Sequence, residues 1–135
     1  MSSAPAYLTQ VLLAEDEIAI AFELEEALRE AGYGVIGPAL NASEAAAMAA
    51  GRPLDAAVID FGLAQHDPHG VLWSLVATGT PIVLLTGYEA PDLPDWLPSA
   101  EVCLKPCSME ELLDKLGTAL TARQAMAGPN HSAAA

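Results

Sequence analysis

The sequence predicts an α/β domain with a parallel sheet covered by helices on both faces. Three observations carry this. Five short apolar runs alternate with helical patterns along the chain. The runs are continuously apolar, as strands buried on both faces are, not alternating as in a half-exposed sheet. The 135 residues are one domain's length. We expect it to span 9–122, with a flexible start over 1–8 and a disordered tail over 123–135.

The first strand is Val11-Leu12-Leu13-Ala14, closed by Glu15-Asp16-Glu17. A helix follows, with Ile18, Ala21, Phe22, Leu24, Leu28 and Ala31 at helical spacing and Gly32 as its stop. Val35-Ile36 is a brief second strand ended by Gly37-Pro38. Asn41 and Glu44 form a capping-box start for an Ala-rich helix over about 43–50. Ala56-Ala57-Val58-Ile59-Asp60 is the third strand. A loop over 61–68 leads to a helix over about 69–78. Pro81-Ile82-Val83-Leu84-Leu85 is the fourth strand, with Thr86-Gly87 at its end. Pro91, Pro94 and Pro98 argue against a long regular helix before the fifth strand, Glu101-Val102-Cys103-Leu104. Ser108 and Glu111 cap a last helix that ends near 122, with Leu112, Leu113, Leu116 and Leu120 inward.

Charge narrows the function. Eighteen acidic residues against five basic ones give a net charge of −13. Phosphate backbones and anionic membrane surfaces are bound by clustered Lys and Arg, so neither nucleic acid nor membrane is an expected partner. No apolar run approaches a membrane span, and the N-terminus lacks a signal-peptide pattern. Two cysteines do not make a disulfide framework, and the expected location is cytoplasmic.

The strand ends carry the chemistry. In a doubly wound sheet, ligands gather at the carboxyl ends of the strands. Glu15, Asp16, Asp60, Thr86 and Lys105 all fall there. Three carboxylates packed at about 5 Å repel by roughly 3 kcal/mol per pair at an effective dielectric of about 20. A hard divalent cation with oxygen ligands, Mg²⁺, offsets that repulsion. Lys105, one of two lysines, stands beside a hydroxyl as an oxyanion binder. Such a set suits phosphoryl transfer, where positioning and charge neutralisation do most of the work. Capping the first helix would explain Asp16 alone, but not two acids with a third on another strand.

These motifs, Val11 to Glu17, Val58-Ile59-Asp60, Leu85-Thr86-Gly87 and Leu104-Lys105-Pro106, resemble the receiver domain of two-component response regulators over about residues 9–122. The resemblance implies a flavodoxin-like five-stranded sheet of order 2-1-3-4-5, with a short or irregular helix between strands four and five. It implies that Asp60 accepts a phosphoryl group from a histidine kinase or phosphotransfer protein. Glu15, Asp16, Asp60 and the Gly62 carbonyl would hold Mg²⁺. Thr86 and Lys105 would bind phosphoryl oxygens, and a cis peptide would precede Pro106. The protein would be a phosphoacceptor with slow self-dephosphorylation, not an enzyme. It would be a stand-alone regulator, a monomer or weak dimer, signalling to an unknown downstream protein or relaying the phosphoryl group. The rival reading is a phosphorylation-independent interaction module.

Departures from the common pattern are local. Val102 stands where these domains often carry a switch aromatic. Thr86-Gly87-Tyr88 is partly similar to the subgroup named for Phe-Ala-Thr-Gly-x-Tyr, which makes Thr86 and Tyr88 the switch candidates. Gly62 leaves the position two after Asp60 open. Gly32-Tyr33-Gly34-Val35-Ile36-Gly37 matches a dinucleotide fingerprint, but it leaves a helix and enters a strand, the reverse of what such a site needs. His66 and His69 read as loop residues. Cys103 reads as a buried strand residue and Cys107 as a loop residue, with no second ligand pair for zinc.

Overall fold

The computed structural model describes residues 8–64, 70–87, 97 and 100–127. Ten elements run in order: β1 Gln10–Ala14, α1 Ile18–Glu30, β2 Gly34–Ala39, α2 Ala42–Gly51, β3 Ala56–Asp60, α3 Phe61–Ala64, α4 Val71–Ala77, β4 Ile82–Thr86, β5 Glu101–Leu104 and α5 Met109–Ala127. The strands form one sheet, β2-β1-β3-β4-β5, in which every pair is parallel. Expected class and strand order are both met. Tyr88, His66, His69 and the three prolines lie outside the described residues, as does the stretch expected to hold a short or irregular helix.

Side-chain alternation along the buried strands builds two cores. Leu12, Ala14, Ala57, Ile59, Ile82 and Leu84 face α2, α3 and α4. Val11, Leu13, Ala56, Val58, Val83 and Leu85 face α1 and α5. Asn41 caps α2 through Glu44 N–H at 2.8 Å, and Glu44 Oε1 accepts from Leu40 N–H at 2.9 Å. Ser108 Oγ likewise accepts from Glu111 N–H at 3.0 Å.

Four boundaries or faces differ from expectation. On α1 only Ala21, Leu24 and Leu28 are buried, while Ile18 and Phe22 are 56% and 57% exposed. At about 100° per residue those two sit some 60–100° round from the core stripe. The segment after Asp60 begins with a helical turn, α3, with Phe61, Leu63 and Ala64 buried. α5 continues past the expected end to Ala127. Within it, Arg123 donates to the carbonyls of Leu54 and Asp55 at 3.1 and 3.0 Å.

The fourth difference positions the site. β2 does not end at Gly37-Pro38 but runs through it to Ala39. Leu12 pairs with Ile36 while Ala14 pairs with Ala39, so β2 carries one extra residue there. Gly37 absorbs it at φ 107, and a Cβ there would lie 2.6 Å from the Leu13 carbonyl oxygen and 2.7 Å from Ala39 N. The irregularity sets the Ala39 carbonyl where it accepts from Glu15 N–H at 3.0 Å.

Candidate functional site

Strand ends and one loop bring the charged groups together. β1 passes into Glu15 and Asp16, and β3 ends in Asp60. Carboxylate oxygens from all three lie within 4.8 Å of one another. Lys105, just past β5, reaches in: its Nζ is 3.0 Å from Glu15 Oε1 and 3.3 Å from Asp60 Oδ1. Its backbone N–H donates to the Thr86 carbonyl at 2.6 Å, continuing the β4–β5 ladder and setting Lys105 beside Thr86. The Lys105–Pro106 peptide is cis, as expected.

Each expected residue has a distinct setting. Glu15 is fully buried, and its second oxygen accepts from Glu17 N–H at 3.0 Å. Asp16 is exposed at the mouth. It does not cap α1: the N-cap is Glu17, without a side-chain cap bond. Asp60 is mostly buried, and its Oδ1 accepts from Gly62 N–H at 3.2 Å. A Cβ on Gly62 would stand 3.7 Å from both Asp60 oxygens, so glycine keeps that approach open. Thr86 is buried at the end of β4, and its hydroxyl donates to the Gly87 carbonyl at 3.3 Å. Tyr88 lies outside the described residues.

Burial raises the Glu15 carboxyl above its ordinary 4.5, and the nearby Asp60 charge adds to the rise. The Glu17 N–H and Lys105 oppose without cancelling it. For Lys105, burial favours the neutral amine, but the bond to Glu15 and the charges of Asp60 and Glu15 outweigh it, holding the ammonium above 10.5. A carboxylate kept in a dry pocket with like charge beside it is poorly placed for stability alone.

Of the three fingerprint-like glycines only Gly37 bears on this site, through the β2 irregularity; the other two lie elsewhere. Gly32 and Gly34 lead from α1 into β2, at the opposite edge of the sheet. Asp55 there accepts from the Gln10 backbone N–H at 2.7 Å, a structural role.

No family model matches the chain. It is 30% identical over 116 residues to the transcriptional regulatory protein PdtaR of Mycobacterium tuberculosis (strain CDC 1551 / Oshkosh), covering 83% of this chain and 57% of that protein. The chain thus spans a little over half the length of the curated relatives it matches. It superposes on a CheY-like response regulator receiver domain protein from Methanospirillum hungatei JF-1 at a TM-score of 0.77 and 22% identity, covering 89% of this chain and 99% of that one. The signal receiver domain of an HD domain-containing protein from Pseudomonas fluorescens Pf-5 gives 0.74 and 25%, covering 88% and 99%. Chemotaxis protein CheY4 of Vibrio cholerae gives 0.72 and 25%, covering 84% and 100%. The chain is a response regulator receiver domain. Within this receiver the carboxyl edge of the sheet brings together Glu15, Asp16, Asp60 and Lys105, with Thr86 on the adjoining strand end.

The receiver's acid pocket fits Mg²⁺ by donor chemistry. It offers only oxygen ligands, three of them carboxylates within 4.8 Å, one exposed and open to water. No helix among the described residues is long and apolar enough to cross a membrane.

Sequence reasoning missed two supports of this site. The Ala39 carbonyl holds Glu15 through an irregularity hidden behind a proline read as a strand end. Glu17 N–H holds the other side of Glu15, and its signal was only adjacency.

Proposed function

We propose that this receiver accepts a phosphoryl group onto Asp60 from the phosphohistidine of a histidine kinase or phosphotransfer protein, in a Mg²⁺-dependent reaction. The observation that carries the reading is the fully buried Glu15, held beside Asp60 and Asp16 at the edge where Lys105 enters. A carboxylate oxygen of Asp60 attacks phosphorus as the P–N bond breaks. The electron pair returns to the donor imidazole, which takes a proton from solvent. Lys105 turns from Glu15 toward an incoming phosphoryl oxygen. The Thr86 hydroxyl exchanges the Gly87 carbonyl for another. Glu15, Asp16 and Asp60, with the Gly62 carbonyl, would hold Mg²⁺, which when bound neutralises the charge gathering on those oxygens. The open approach above Gly62 admits water to the acyl phosphate, which gives the phosphorylated chain a route for self-dephosphorylation. Output follows by protein–protein contact or onward relay.

The pocket's electrostatics give a direct test. Glu15 binds its proton more tightly in the folded state, so its contribution to metal-free stability is present at low pH and lost as pH rises through its raised value. Mg²⁺ needs the ionised form, so the ion's effect runs the other way. At ten times its Kd, Mg²⁺ is expected to add about 1.4 kcal/mol, or about 3–6 °C in Tm. That gain should shrink as pH falls through a range beginning above 4.5. Thermal melts with Mg²⁺ or chelator from pH 8 to 5 read this out. No Mg²⁺ shift at any pH would overturn the assignment of the acid pocket.

A further inference from the structure

Sequence spacing left Cys103 and Cys107 as a pair without partners. The fold supplies a third. The Sγ atoms of Cys103 and Cys107 and a carboxylate oxygen of Glu111 all lie within 4.8 Å of one another. These are the chain's only two cysteines, and both are free thiols. They arrive from different elements: Cys103 from β5, Cys107 from the loop beyond Lys105–Pro106, and Glu111 from the first turn of α5. Ser108 fixes that turn through Glu111 N–H, placing Glu111 one turn beyond Cys107.

We propose that Cys103, Cys107 and Glu111 form a second cation site, for a thiophilic divalent ion such as Zn²⁺, distinct from the acid pocket. Tetrahedral zinc, at about 2.3 Å from sulfur and about 2.0–2.2 Å from oxygen, spaces its ligand atoms by about 3.5–3.8 Å. The three atoms, no more than 4.8 Å apart, therefore need to close by at most about 1.0–1.3 Å. Burial is graded in the order a site with one open position needs: Cys103 is fully buried, Cys107 half-buried and Glu111 exposed. Water takes the fourth position on the Glu111 side. Both thiols release their protons to the buffer on binding, including the Cys107 proton now directed at the Ser108 carbonyl at 3.5 Å. Two thiolates and a carboxylate around a divalent ion carry net charge −1. The Lys115 ammonium, which acts on Cys103 from the next turn of α5, offsets part of it. A disulfide would join the same two sulfurs without using Glu111, whose carboxylate oxygen lies within 4.8 Å of both; a metal ion uses all three groups.

The site shares no ligand with the acid pocket, and it does not rest on the phosphoacceptor reading. It does bracket Lys105: an ion here would tie β5 to the start of α5 on either side of the residue whose Nζ bonds Glu15 and Asp60.

The test uses the full chain, reduced with a phosphine and held in excess Mg²⁺ so that the acid pocket is filled. Co²⁺ is titrated as a spectroscopic probe, and Zn²⁺ uptake is counted by native mass spectrometry. The proposal expects one ion per chain and a near-ultraviolet thiolate-to-cobalt band. Cys107→Ser should abolish the band, and Glu111→Gln should weaken binding by about tenfold or more. Cys107 only borders the core, half-buried, and Glu111 is exposed, so folding, checked by circular dichroism, should survive the conservative Cys107→Ser and Glu111→Gln changes. Absence of the band, or zinc uptake unchanged in Cys107→Ser, would overturn the proposal. So would a reduced chain that ignores metal but loses two hydrogens in air, which would make the pair a redox couple instead.

Discussion

Asp60→Asn is expected to abolish phosphoryl incorporation while leaving the receiver folded. Asn is nearly isosteric, and its Oδ1 can still accept from Gly62 N–H, as Asp60 does at 3.2 Å. What disappears is the anionic nucleophile, and no other group in the pocket replaces it: Glu15 is sealed, with its oxygens bonded to Lys105 and Glu17 N–H. Asp16 is open to solvent but lacks a cation bonded to it among the described residues. Incubation with a small phosphodonor and Mg²⁺, read by intact mass, should show a one-phosphoryl gain for the wild type and none for the variant. Lys105 keeps Glu15 as its partner at 3.0 Å, and Glu15 loses a like charge nearby. Metal-free stability should therefore hold or rise. An unfolded variant, or one still phosphorylated in full, would contradict this account of the pocket.

The second large effect lies outside the pocket. Gly37→Ala is expected to destabilise the domain by about 2–4 kcal/mol, since it adds a strained positive φ to a backbone collision. The added Cβ would meet the Leu13 oxygen at 2.6 Å and Ala39 N at 2.7 Å, both main-chain atoms that cannot swing aside. Relief requires β2 to shift, which moves the Ala39 carbonyl off Glu15 N–H. Mg²⁺ affinity should fall together with the denaturation midpoint. Gly117→Ala is the contrast. It lies inside α5 with nothing within 4 Å of the added Cβ, and should stabilise by about 0.5–1 kcal/mol. Equilibrium denaturation of both variants checks the pair. A Gly37→Ala protein as stable as wild type would refute the role given to the β2 irregularity.

The sheet and its charged edge were legible because buried parallel strands write a strong pattern. Val11 to Ala14, Ala56 to Ile59 and Ile82 to Leu85 are continuous apolar runs, each followed by a polar residue of the candidate site. Strand order and residue spacing then force Glu15, Asp16, Asp60 and Lys105 to one edge. What stayed hidden depends on contacts between segments. A proline reads as a stop, so β2 seemed to end at Gly37-Pro38. Only its pairing with β1 shows the extra residue. Ile18 and Phe22 have the spacing of a helix face, yet Ala21, Leu24 and Leu28 are the residues that meet the sheet. α3 is a single turn whose buried side chains are held by tertiary packing rather than by local propensity. Glu111 joins the two cysteines only once β5, its following loop and α5 are folded against one another.

With Asp60 as the proposed acceptor, the decisive measurement locates the phosphoryl group itself. The chain is treated with phosphodonor and Mg²⁺, quenched with borohydride, which reduces an acyl phosphate to the alcohol, and digested for mass spectrometry. The expected result is homoserine at position 60, dependent on Mg²⁺ and lost with chelator. A modified residue anywhere else would contradict it by moving the acceptor off Asp60; an unmodified chain under conditions that phosphorylate another receiver would contradict it and favour a module that binds its partner without phosphorylation.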